Sequence, residues 1–248
     1  MQAKTLDEVV AWLDSIIQNC HQKSSRAGYF ACLYRKMTVA IKKAIDNGEF
    51  EDAARMEKLD VFFANRYLEA YTQYESGLKP TVSWQTAFDA AAINRLTVLQ
   101  HLLLGINAHI NLDLGIAAAK VSTPETIAAL ANDFNKVNEV IGSLFADVQT
   151  SLAKIAFPVY FIKKINPKKT NAVLNFSISK ARQTAWANAL LISAVGEAGE
   201  KDVITATDKI VFTVANGIQS PGQLMSLLLR WIRWTESKDI RRNIDCLS

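Results

Sequence analysis

The sequence predicts an all-α fold: a single-domain, multi-helix bundle over residues 1–248, packed around a central buried helix at about residues 83–120. Three observations predict it. Apolar residues recur at helical spacing along most of the chain. The 10 glycines and 5 prolines are too few for the tight turns of a β-rich domain and fall mostly at helix boundaries. The run Leu96 to Leu112 contains no Lys, Arg, Asp or Glu, whereas a surface helix would carry a charged face.

Each element has its own signal. Thr5-Leu-Asp-Glu8 reads as a capping box, followed by Val9, Val10, Leu13, Ile16 and Ile17 on one helical face. A second helix covers about Tyr29 to Ile45 and stops at Asp46-Asn47-Gly48. A third starts near Glu51, carries Met56, Leu59, Phe63, Tyr67 and Leu68, and ends at Ser76-Gly77 before Pro80. Ser83 is expected to cap the central helix, which runs to about Lys120. Ser122-Thr-Pro-Glu125 restarts a helix with Ile127, Leu130, Phe134, Val137 and Ile141 on its apolar face. The stretch Phe157 to Pro167 has the composition of a strand, but with no partner strand in view it reads as helix or irregular chain. Further helices follow at about Lys169 to Val195, Lys201 to Ala215 and Pro221 to Trp234, with a basic tail through Arg241 and Arg242. There is no internal repeat and no Gly-, Pro- or Ser-rich linker, so no domain boundary is expected.

Composition narrows the function classes. Hydrophobic residues make up 50% and charged residues 21% of 248, which excludes global disorder. The net charge of +4 is scattered rather than striped, so no nucleic-acid partner is expected. Three cysteines, Cys20, Cys32 and Cys246, without CxxC spacing argue for a reducing compartment. The N-terminus has no signal-peptide h-region, and no run approaches ~18 consecutive apolar residues. The expected location is the cytoplasm, with no membrane span. P-loop, Gly-x-Gly-x-x-Gly, Gly-x-Ser-x-Gly, His-Glu-x-x-His and zinc Cys/His spacings are all absent.

The charge-free helix carries two of the three histidines. At ~100° per residue, His101, Gly105, His109 and Asp113 form one slowly rotating stripe, and Gln100, Asn107 and Asn111 a second. A helix-interior Gly costs roughly 1 kcal/mol relative to Ala. Gly105 therefore marks either a close helix crossing or an open volume between the histidines. Three readings stay open. The polar residues are satisfied core groups; or His109 and Asp113, an (i, i+4) pair, contribute to a divalent metal site; or they line a metal-free pocket in which a His is the acid–base group and Asp113 orients His109. His101 is about 12 Å further along the axis at 1.5 Å per residue, too far to share the same metal easily. Candidate catalytic residues are His101, His109, Asp113, Asp60, Arg35 and Asn107. Asp60, with Glu57 and Arg66, could supply a carboxylate or a counter-charge from the third helix. Arg35 either reaches inward from an apolar segment or snorkels to water. No cofactor is specified. A small-molecule partner and a homo-oligomer are both compatible with the sequence. The function expected is that of a small-molecule enzyme or binding protein; the alternative is a non-catalytic helical interaction or ligand-carrier module.

The run Gln100-His-Leu-Leu-Leu-Gly-Ile-Asn-Ala-His-Ile-Asn-Leu-Asp-Leu-Gly115 resembles the signature of an uncharacterised bacterial family, domain-of-unknown-function family 5995. The segments Leu59-Asp-Val-Phe-Phe-Ala-Asn65, Asp133-Phe-Asn-Lys-Val-Asn138 and Ala185-Trp-Ala-Asn-Ala189 resemble its flanking blocks. The resemblance implies a one-domain helical fold and a bacterial origin. It brings no activity, and it carries over His101, Asn107, His109 and Asp113 as candidates only.

Overall fold

Residues 2–156 and 167–248 are described by the computed structural model. Among them are ten α-helices and no strand, with one isolated antiparallel bridge between Ala156 and Glu236. The reading of 157–166 lies outside the described residues. Helix α1 spans Leu6–Lys23, and the Thr5 side chain accepts from the Glu8 amide as expected of its cap. Helix α2 spans Gly28–Asp46. Helix α3, Ala53–Glu75, opens on Asp52, whose carboxylate accepts from the Arg55 amide.

The helix expected at 83–120 is not continuous. Helix α4 is short, Val82–Asp89, and Ser83 lies inside it rather than capping it. The amides of Val82 and Ser83 are instead taken by the Asp208 carboxylate at 2.8 and 3.0 Å. After a 3-10 turn at Ala90–Ala92, a fresh nucleus forms at Thr97: its hydroxyl accepts from the Gln100 amide, and the Gln100 side chain accepts from the Thr97 amide. The buried Glu236 carboxylate takes the Val98 amide as well. Helix α5 then runs Val98–Ala108, passes through a π-helical turn at His109–Asp113, and continues as α6, Leu114–Lys120.

The restart at 122–125 also comes late. The Thr126 hydroxyl accepts from the Thr123 amide and holds a turn. A 3-10 turn at Ile127–Leu130 then precedes α7, Ala131–Ile155. Helix α8, Pro167–Gln219, is two helical segments that meet at a break at Gly196, whose φ of 62° and ψ of -166° are non-helical and suit a residue without Cβ. Helix α9 is Gln223–Thr235. The basic tail is a helix in its own right: α10, Ile240–Leu247, is opened by Asp239 and buries Ile244 and Leu247.

The α5–α6 rod sits at the centre, packed by α2, α3, α4 and α8. By length and composition Val98–Lys120 is apolar enough to cross a membrane, which a count of consecutive apolar residues does not register. However, 78% of the apolar 18-residue window within it is buried inside the fold, as in the core helix of a soluble protein. Two glycines permit the close packing. A Cβ on Gly115 would lie 2.8 Å from the Ala185 carbonyl oxygen of α8. A Cβ on Gly105 would lie 2.4 Å from the Phe30 ring of α2. Gly105 thus holds no open volume; an aromatic ring fills the notch between the two histidines.

Gly105→Ala is accordingly expected to destabilise by about 1–3 kcal/mol through overpacking, although Ala is the better helix former. Urea unfolding checks this, and adding Phe30→Leu should recover part of the loss. A Gly105→Ala protein as stable as the wild type would show that the ring does not seat there.

Candidate functional site

The π turn is where the central rod changes phase, and such single-turn π segments frequently occur at functional sites. Its last residue, Asp113, is fully buried. Its Oδ1 accepts from Arg66 Nε on α3 at 3.0 Å, and its Oδ2 accepts from Trp84 Nε1 on α4 at 2.7 Å. A buried carboxylate needs such compensation, because desolvation penalises it by several kcal/mol. The counter-charge expected from α3 is therefore Arg66. His109 Nδ1 stands 3.7 Å from Asp113 Oδ2, beyond hydrogen-bond reach. Asp113 acts on His109 through charge and does not hold its tautomer.

His109 lies in an aromatic enclosure. The Phe63 ring stacks on it with centroids 3.6 Å apart, Tyr34 meets it edge-on at 4.2 Å, and Phe30 at 5.6 Å. Both imidazole nitrogens are buried without a hydrogen-bond partner, as are the hydroxyls of Tyr34 and Tyr67. An unpartnered buried polar atom costs about 1–3 kcal/mol, and native interiors contain few of them. Burial pushes the His109 imidazole down from its ordinary range, with Asp113 pulling against it and Arg66 reinforcing it. Burial pushes both phenols well up. Near neutral pH the centre thus holds a neutral imidazole and two neutral phenols beside a compensated ion pair.

Asp60 lies on α3, the helix that also carries Phe63 and Arg66. Its Oδ2 has no partner, burial pushes its carboxyl up to about 7 against the pull of Arg182, and its charge acts on Tyr34. Arg182 on α8 is a residue the sequence reading passed over. Its guanidinium lies 4.4 Å above the Phe134 ring and donates to the Phe134 carbonyl.

The other candidates are not gathered here. Asn107 donates to the Val211 carbonyl at 2.8 Å and accepts from Asn111 at 2.9 Å. Gln100 donates to the Ile218 carbonyl at 2.7 Å. The second polar stripe therefore ties the rod to α8 and touches neither histidine. Arg35 does not reach inward: it pairs with Asp14 at the surface, 2.5 Å away. His101 is separate from His109. It meets Tyr29 edge-on at 5.9 Å, leaves Nε2 unpartnered, and is pushed down to about 3 by burial, with Arg26 and Arg233 adding to the shift. The metal reading of His109 with Asp113 finds no support. Both Asp113 oxygens are engaged, one by a cation, and no group of three His, Cys, Asp or Glu comes together among the described residues.

A model of the family of unknown function (DUF5995) matches residues 6–221. The chain belongs to that family. No curated protein and no solved structure matches the chain. The family match covers the whole centre around His109, including Arg66, Trp84, Asp60 and Arg182, and stops short of α9, Glu236 and α10. The family's description carries no activity, so chemistry has to be read from the side chains.

Asp113→Ala would strand Arg66 and the Trp84 N–H together, and is expected to cost about 3 kcal/mol in denaturant unfolding, with Asp113→Asn losing less. A cost under ~1 kcal/mol, the range of a solvated pair, would place the carboxylate in contact with water.

Proposed function

We propose that the protein is a small-molecule enzyme or binding protein acting through the polar centre around His109, and that it works in the cytoplasm. One observation carries the reading: four buried polar atoms, the two His109 nitrogens and the hydroxyls of Tyr34 and Tyr67, stand unpartnered in one aromatic enclosure. Such groups are retained at a stability cost, and functional sites are where that cost is tolerated.

The ligand class follows from the balance of charge. Asp113 and Arg66 cancel, and His109, Tyr34 and Tyr67 are neutral near pH 7. The centre suits a neutral molecule with a carbonyl or hydroxyl group. The phenols donate to it, and the imidazole exchanges hydrogen bonds or a proton with it. Asp113 is a positioning residue that fixes Arg66 and Trp84. Asp60, with its raised carboxyl, is the second titratable group at hand. Location in the cytoplasm is supported by three free thiols, two of them buried.

A second reading, a non-catalytic interaction or carrier module, is favoured by the filled volume. Phe63 stacks directly on His109, and Phe30 occupies the notch at Gly105.

His109→Phe separates the two readings, since it keeps the aromatic packing and removes the stranded nitrogens. On the functional reading the variant is as stable as wild type or up to about 2 kcal/mol more stable. It also loses whichever neutral carbonyl or hydroxyl compounds raise the wild-type melting temperature in a panel. A variant destabilised by more than ~1 kcal/mol, the net worth of a structural hydrogen bond, with a wild type that no compound shifts, would establish the structural reading.

A further inference from the structure

Away from His109, at the other end of α5, four cations line one cleft of about 610 Å³: Arg26, Arg230, Arg233 and Lys238, with Asn94 and Trp234. Two of the guanidiniums are tethered to the same turn. Arg26 donates to the Ala91 carbonyl at 2.9 Å and to Asn94 Oδ1 at 2.7 Å, and Arg233 Nε donates to the Asn94 carbonyl at 2.9 Å. The tethers hold like charges together, and each guanidinium keeps N–H groups for which no hydrogen-bond acceptor is found among the described residues. Arg230 and Lys238 form no ion pair among the described residues. The Glu236 carboxylate is buried in a narrow crevice lined also by His101, Arg26, Arg233 and Lys238. It is engaged by the Val98 amide and stands 3.8 Å from Arg233. Among the described residues the cleft thus sets four cations against one paired carboxylate, Glu236, and carries a positive excess. Trp234, 77% exposed, supplies a bare indole at its edge.

We propose that this cleft binds a phosphate-type oxyanion carried on an apolar or planar body. Pre-positioned guanidiniums match oxyanions through paired N–H donors, Lys238 adds a mobile point charge, and the Trp234 indole packs the body. The ligand thus differs in class from the neutral one assigned to the His109 centre, and this inference does not rest on that reading. The oxyanion has two sources, a soluble phosphomonoester or the headgroup of an acidic lipid. The second is raised by the bare Leu224, Leu227 and Trp231 on the exposed face of α9.

The test is calorimetric titration of the full chain at physiological salt with phenyl phosphate, inorganic phosphate and phenol. A second arm is sedimentation with phosphatidylcholine vesicles, with and without phosphatidylglycerol. For a soluble source, phenyl phosphate binds at least about tenfold more tightly than phenol. Trp234→Ala weakens phenyl phosphate but not inorganic phosphate. For a lipid source, the chain sediments only with the phosphatidylglycerol vesicles. In either case Arg230→Glu combined with Lys238→Glu abolishes binding while leaving the melting temperature unchanged, since neither side chain holds the fold. No binding in either arm, or binding that survives the double charge reversal, overturns the proposal.

Discussion

Everything around the central rod is arranged to accommodate one buried carboxylate. Asp113 ends a 17-residue stretch without charge and is itself fully buried. A buried charged carboxylate is stabilised by donors on its oxygens and a cation close by. Arg66 comes from α3 and Trp84 from α4, so one carboxylate ties three elements into a single geometry. His109 stands just outside this arrangement. Its Nδ1 is 3.7 Å from Asp113 Oδ2, so the imidazole four residues earlier lies beside the carboxylate without a hydrogen bond.

The rod then has two chemically distinct ends. Around His109 the charges cancel and the walls are aromatic. Around His101 the neighbours are Arg26, Arg233 and a buried Glu236 whose carboxyl burial pushes up to about 7. Phe30, seated against Gly105, separates the two. A stripe that is continuous along the helix surface is in this way divided into a neutral centre and the back wall of a cationic cleft, and the two histidines do not act as a pair.

Much of this was legible in the sequence. The helical class, the start of α1, the boundaries of α2 and α3, and the burial of the central run follow from periodicity, capping and turn signals, and missing charge. So does the candidacy of Arg66 as a counter-charge, because an aspartate inside an apolar helix requires one. Other features were not legible, each for a physical reason. The break before Thr97 carries no Pro or Gly; it depends on a capping box assisted by Glu236, which takes the amide of Val98, 138 residues earlier. The π turn depends on tertiary packing, which no local propensity encodes. Gly105 left two alternatives because a notch and a cavity look alike until the opposing residue, Phe30, is known. Asn107 looked like a site residue by spacing, but its partner is a backbone carbonyl on α8. Arg35 lies in an apolar segment yet finds Asp14 at the surface, since a long side chain reaches water easily. The cationic cleft was hidden because its four residues come from two distant parts of the chain.

The central claim is that His109 is a neutral imidazole whose ring nitrogens have no hydrogen-bond partner, although Asp113 stands beside it. Nitrogen-15 NMR of the histidine ring measures this directly. At pH 6.5, where a free imidazole is half protonated, His109 should give the shifts of a neutral ring with no strong hydrogen bond at Nδ1. An imidazolium signal at that pH, with Nδ1–H bonded to Asp113, would contradict the account.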